Sequence, residues 1–210
     1  MVGQAHSRLV HQRRVKILRG WIDSYLPAAA TSVLDVGSGD GLVLSRIVQS
    51  RPGLVAKGID VLPRAHTHVP VSLFDGRRIP YDDESFDAVM MIDVLHHTDD
   101  PAVLLGEARR VARQCILIKD HLRDGWLAAE RLKFMDYLGN ARYGVALPCV
   151  YWTQREWSRA FADLGLAVQR WQTELGLYPW FADWVFGSSL HFVARLGLTG
   201  KGEADGKCDV

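Results

Sequence analysis

Cysteine is scarce in this 210-residue chain: Cys115, Cys149 and Cys208 are three, far apart, with no C-x-x-C pair. An odd number so spaced excludes a disulfide framework and a cysteine-rich zinc site, and no metal is expected. Long apolar runs are missing too: none approaches membrane-spanning length, and no apolar stretch follows the N-terminal basic residues. Nor is there a surplus of one charge, since 25 Lys and Arg stand against 24 Asp and Glu, a net charge of +1. Nucleic-acid binders carry a strongly basic face, which this balance does not supply. The chain reads as a soluble, cytoplasmic monomer or homodimer with a small-molecule substrate, no nucleic-acid partner and no stable membrane insertion.

What is present is ordinary for a globular domain, with 48% hydrophobic and 23% charged residues. The length suits one domain over residues 1–197, followed by a small, polar tail at 198–210 expected to be disordered. Arg8, Arg13, Arg14, Lys16 and Arg19 crowd the N-terminal segment and read as the solvated face of a helix over Ser7–Leu26.

Short apolar runs then alternate with helical patterns. "SVLDV", "LVAKGID", "VPVSLFD", "FDAVMMID" and "QCILIKD" read as buried strands, and "DGLVLSRIVQS" and "DPAVLLGEARRVAR" as helices between them. Asp100 is placed as an N-cap, with Pro101 at the first helical position. Residues 122–152 read as an irregular, aromatic-bearing lid, before a helix "TQREWSRAFADLG" and strands "LAVQRWQT" and "LHFVARL". This alternation predicts an α/β, Rossmann-like, doubly wound, mostly parallel seven-stranded sheet with helices on both faces.

Each of the five leading strand patterns closes on an acid: Asp35, Asp60, Asp75, Asp93 and Asp120. In an open parallel sheet the carboxyl ends of the strands form the ligand crevice. Turns and N-caps explain any single aspartate, but a series of them points to a ligand carrying positive charge. The loop "VLDVGSGDG" agrees. Its glycines at 37, 39 and 41 give G-x-G-x-G, not the G-x-G-x-x-G of dinucleotide folds, and no Lys-Ser/Thr pair follows. A phosphate there would face Asp35 and Asp40, and like charges at about 4 Å repel by roughly 4 kcal/mol.

"VLDVGSGDG" resembles the first motif of class I S-adenosylmethionine-dependent methyltransferases. "GID", "FDGRRIPYDDESFDAVMMIDVLHHTDD" and "DPAVLLGEARRVAR" continue the resemblance in family order, over roughly residues 30–120. It implies a small-molecule, type 11-like methyltransferase with S-adenosyl-L-methionine as cofactor. By resemblance, Asp35, Gly37, Ser38 and Gly39 approach the methionine part and Asp60 takes both ribose hydroxyls. Asp75 and Gly76 meet adenine, Asp93 lies beneath the methionine end, and Leu62 and Ile79 are either apolar covers for the ring or core residues, with core packing explaining each equally well. The sequence departs from the family where "RVARQCILIKD" passes from helix to strand without a Pro/Gly-rich turn.

For the acceptor, His96, His97 and His121 are the candidate bases near the crevice. His121, beside Asp120 at the end of strand five, is the first choice, and His97 is as much a shaping residue of the fourth motif as a chemical one. Aromatics over 126–157 and 171–184 suit an apolar, aromatic, phenolic or acyl substrate. "IKDHL", "FMDYLGNA" and "SLHFVARL" resemble bacterial methyltransferases accompanying aryl-polyene or similar phenolic pigment pathways, which implies O- or C-methylation of a phenolic acceptor. The competing readings are a non-catalytic cofactor-binding protein acting through a partner and a nicotinamide-dependent oxidoreductase. The loop spacing and the ring of acids speak against the oxidoreductase.

Overall fold

The structure is a computed structural model that describes residues 2–140, 149–179, 183, 187 and 189–199. Tyr143, Pro148, Trp180, Phe181, Trp184, Cys208 and the polar tail from residue 200 lie outside the described residues.

Strands β1 (Ser32–Val36), β2 (Val55–Asp60), β3 (Val71–Leu73), β4 (Phe86–Ile92), β5 (Ala112–His121), β6 (Leu166–Gln172) and β7 (His191–Leu198) form one sheet. Their order is β3-β2-β1-β4-β5-β7-β6. The first five pair in parallel, and β7 runs antiparallel to both β5 and β6. Among the described residues, five α-helices accompany them: α1 (Val2–Tyr25), α2 (Leu42–Ser50), α3 (Pro101–Val111), α4 (Ala128–Asn140) and α5 (Gln154–Asp163). The α/β, mostly parallel architecture is the one the alternation predicts.

Side-chain alternation along the central strands sorts the core into two layers. Val33, Met90 and Leu117 pack with Leu18, Ile22, Leu44 and Ile47 of α1 and α2. Their neighbours Leu34, Val89 and Ile116 point the other way, to Leu104, Leu105, Trp157 and Phe161 of α3 and α5. Each such fully buried side chain contributes about 1.5–3 kcal/mol of transfer free energy. Helix starts follow local chemistry. Asp100 accepts from Ala102 N at 2.9 Å with Pro101 next, and Thr153 and Glu156 close a capping box on α5.

Three expectations are corrected. β3 is not a buried strand. It is three residues long at the sheet edge, with β2 on one side only, and Leu73 is exposed. Residues 122–152 are not irregular throughout, because "AAERLKFMDYLGN" forms α4, where strong helix formers prevail despite a weak apolar stripe. The N-terminal basic residues are not all solvated: Arg14 pairs with Asp93 at the end of β4, and Arg13 donates to Gly176 O at 3.3 Å. The missing turn before strand five is confirmed, since α3 ends at Val111 and β5 begins at Ala112.

Candidate functional site

A crevice of about 570 Å³ opens at the carboxyl ends of the parallel strands. Gly37, Gly39, Asp60, Leu62, Asp75, Gly76, Asp93 and His97 all line it. A second cavity, of about 790 Å³, includes Ser32, Val55 and Phe86, the first residues of β1, β2 and β4, and so lies at the opposite end of the sheet. Ligands of open α/β sheets bind at the carboxyl ends, which selects the first cavity.

The glycine loop is built for close approach. Gly37 has φ +71°, and a Cβ there would stand 2.4 Å from Val94 Cγ2. Gly39 has φ +59° with nothing within 4 Å of an added Cβ, so its bare backbone faces open space. Asp60 holds the loop in place. Its Oδ2 accepts from Gly39 N at 2.7 Å and its Oδ1 from Leu62 N at 2.8 Å. Each carboxylate oxygen retains a lone pair for a ligand hydroxyl. Asp75 turns the next loop by accepting from Arg77 N and Arg78 N at 2.8 and 2.7 Å. These amides hold its carboxyl below the ordinary carboxylate range.

Asp35 and Ser38 are not in the crevice lining. Ser38 Oγ instead faces β2, where it would meet a Cβ on Gly58 at 2.6 Å. Asp35 is only 3% exposed. Burial, with the negative charge of Asp60 added, pushes its carboxyl well above the usual range. Ile79 is fully buried in the core, so it packs the fold and covers no ligand.

Asp93, at the floor, has φ +56°, unusual for a residue other than glycine. Its Oδ1 accepts from Lys119 Nζ and its Oδ2 from Arg14. Burial opposes ionisation of Asp93, but these two cations outweigh it and hold the carboxyl well below its usual range. Lys119 continues to His191 Nδ1 at 3.2 Å. The sequence reading missed Arg14, Lys119 and His191. Lys119, a lone lysine inside an apolar strand pattern, was the one available signal.

Asp120 and His121 do not reach the crevice. They are 0% and 4% exposed, side by side at the end of β5. Asp120 Oδ1 meets His96 Nδ1 at 2.6 Å and its Oδ2 accepts from Leu95 N at 3.0 Å. His121 Nδ1 lies 3.2 Å from His96 Nδ1. Burial, reinforced by His96 and Lys119, pushes the His121 imidazole down to about 4, so it is neutral near pH 7. The expected base is therefore enclosed, because β5 runs on to His121 and takes both side chains into its packing. Tyr151 covers the cluster, with its ring 5.9 Å from His96. Trp157 and Trp171, outside the 122–152 lid, are among the aromatics that serve the core, each packed on Phe192.

The sequence matches a family model described as "Methyltransferase domain" over residues 9–170. An uncharacterized methyltransferase of Mycobacterium tuberculosis (strain ATCC 25618 / H37Rv) is 39% identical over 97 residues, 44% of this chain and 40% of that protein. Demethylmenaquinone methyltransferase of Roseiflexus castenholzii is 34% identical over 108 residues, 45% of each chain. The match thus spans under half the length of these curated relatives. Among solved structures, a chain from the complex of the Haloferax volcanii Trm112 methyltransferase activator with a methyltransferase superposes with TM-score 0.66 at 18% identity, covering 96% of both chains. Geranyl diphosphate methyltransferase in complex with SAM gives 0.64 at 16% identity, over 86% of this chain and 84% of that one. The fold is that of the class I S-adenosylmethionine-dependent methyltransferases. This chain belongs to that methyltransferase family.

Proposed function

We propose that the protein transfers a methyl group from S-adenosyl-L-methionine to a small, apolar, hydroxyl-bearing or phenolic acceptor. The observation that carries the cofactor reading is the joint of Gly39 and Asp60, a bare left-handed backbone locked onto a carboxylate that faces the crevice. Asp60 is suited to the ribose hydroxyls, Asp75 and Gly76 to the adenine edge, and Leu62 and Val94 to its faces. The cationic methionine end then lies toward Gly37 and Asp93.

In the reaction the S–CH₃ bond breaks, its electron pair stays on sulfur, and the methyl bonds to the acceptor. Adenosylhomocysteine is the other product. Holding the two reactants in line supplies several kcal/mol of the barrier reduction. An acceptor hydroxyl must also lose its proton, and His97 is the imidazole we assign to that step because it lines the crevice while His121 does not. The relatives bear on the acceptor only by analogy: one is named for demethylmenaquinone and another for ubiquinone biosynthesis, both ring-bearing molecules.

Calorimetry with S-adenosylmethionine and with NAD tests the cofactor, and mass spectrometry of compounds carried through purification tests the acceptor. The expected result is saturable binding of the methyl donor and none of NAD. Binding of NAD alone overturns the reading.

A further inference from the structure

The buried group His96, Asp120 and His121 has no part in the crevice, yet it gathers three metal-ligating side chains in one place. Their candidate donor atoms all lie within 4.8 Å of one another, and each side chain is at most 5% exposed. The separations are 2.6 Å from His96 Nδ1 to Asp120 Oδ1, 3.2 Å between the two Nδ1 atoms, and 3.4 Å from His121 Nδ1 to Asp120 Oδ1. Bonds of about 2.0–2.2 Å to a divalent ion separate neighbouring ligand atoms by about 2.9–3.4 Å at octahedral to tetrahedral angles. Two of the observed edges fall in that range, and the third needs a shift of a few tenths of an ångström.

Hydrogen bonds account for part of this triangle: Asp120 Oδ1 accepts from His121 N at 2.8 Å and meets His96 Nδ1 at 2.6 Å. The carboxylate oxygen only accepts, and a neutral imidazole Nδ1 either donates or accepts. With a proton on His96 Nδ1 directed at Asp120, His121 Nδ1 faces a donor already committed elsewhere. With both Nδ1 atoms deprotonated, two imidazole nitrogens and a carboxylate oxygen lie within 3.4 Å of one another, a crowding of acceptors that a cation relieves.

The geometry points to a binding site for a single first-row divalent transition ion, of the zinc, iron or cobalt type, held by His96 Nδ1, Asp120 Oδ1 and His121 Nδ1. Two imidazoles and one carboxylate exclude magnesium and calcium, which take oxygen ligands. The backbone already fixes the donors as a metal site requires. Leu95 N holds Asp120 Oδ2, Val150 N donates to His96 O at 2.8 Å, and Trp157 Nε1 donates to His121 O at 3.1 Å. Three protein ligands leave a position for an oxygen ligand. Asp120 cancels only one of the ion's two positive charges, while Asp93 is neutralised by Lys119 and Arg14. The added ligand is therefore favoured as an anion, hydroxide or an ionised hydroxyl. The proposal does not depend on the methyl-transfer reading.

The test is elemental analysis of tag-free protein purified without chelators, together with refolding in cobalt(II) followed by visible absorption. About one equivalent of a transition metal, or a cobalt d–d band that saturates at about one equivalent, is expected. D120N and H121Q should lose this metal, whereas H191Q, altered just outside the triangle, should keep it. Absence of both bound metal and a cobalt band overturns the proposal, as does metal retained in D120N and H121Q. Where a variant fails to fold, the cobalt titration of the unaltered protein decides alone.

Discussion

Arg14 on α1 and Asp93 at the end of β4 form an ion pair across 79 positions of sequence, so the N-terminal helix is tied directly to the floor of the crevice. The Arg14 side chain is 36% exposed, which dilutes the attraction, but Asp93 is largely enclosed. R14Q should cost about 1 kcal/mol of stability, read in urea denaturation. Cofactor affinity should fall less than tenfold, since Lys119 keeps Asp93 ionised. A loss beyond a hundredfold would mean that Arg14 itself touches the ligand.

Asp60 accepts from two backbone amides, and the proposed cofactor site gives it the ribose as well, so D60A removes both roles together. Calorimetry should show S-adenosylmethionine binding weaker by about 1.5–3 kcal/mol, the value of a hydrogen bond to a charged group. Unchanged affinity would remove Asp60 from the cofactor site.

The two glycines of the loop should fail differently. G37A drives a Cβ into Val94 and forces a left-handed alanine, so melting should report a damaged fold. The Cβ of G39V meets no protein atom within 4 Å, and the variant carries a left-handed penalty of about 1–2 kcal/mol. It should remain folded and lose cofactor binding. Normal binding by G39V would show that the loop does not cradle the ligand.

Asp35 gives a pH signature. Its folded-state carboxyl is pushed up by burial and by Asp60, so the unfolded chain ionises first and stability falls as pH rises above about 4. D35N should therefore melt higher than the natural protein at pH 8, and the gap should close below about pH 4. A constant gap across that range would assign the effect to packing instead of charge.

H97Q tests proton transfer. Single-turnover methylation of a phenolic acceptor should slow by about a hundredfold while cofactor affinity stays near normal, with the defect shrinking as pH rises and the acceptor ionises unaided. An equal defect at every pH would make His97 a positioning residue.

The sheet, the crevice and Asp60 were legible because their determinants are local: period-two apolar runs, a glycine turn, and an acid directly after a strand. The network beneath the crevice was not. Lys119 and His191 are 72 residues apart, and antiparallel pairing of β5 with β7, which sets His121 against His191, brings them together. Arg14 looked like any basic residue on a helix, since its partner is chosen by how α1 packs and not by its neighbours in sequence. His121 was placed at the crevice because strand ends usually open there. β5 continues one residue past Asp120, and the 3-10 turn Leu95–His97 folds His96 over it while leaving His97 outside.

The joint at Val111 and Ala112, where α3 passes into β5 with no connecting residues, has a mechanical consequence. Asp100, at the start of α3, lines the crevice, and Asp120 and His121 end β5 beside it. Both ends of one stiff strut thus lie near the crevice, with the bend far away at the other end of the sheet. Such a strut offers no hinge of its own, so opening for substrate entry falls to the segments around it, and inserted residues at the joint would slacken both ends at once.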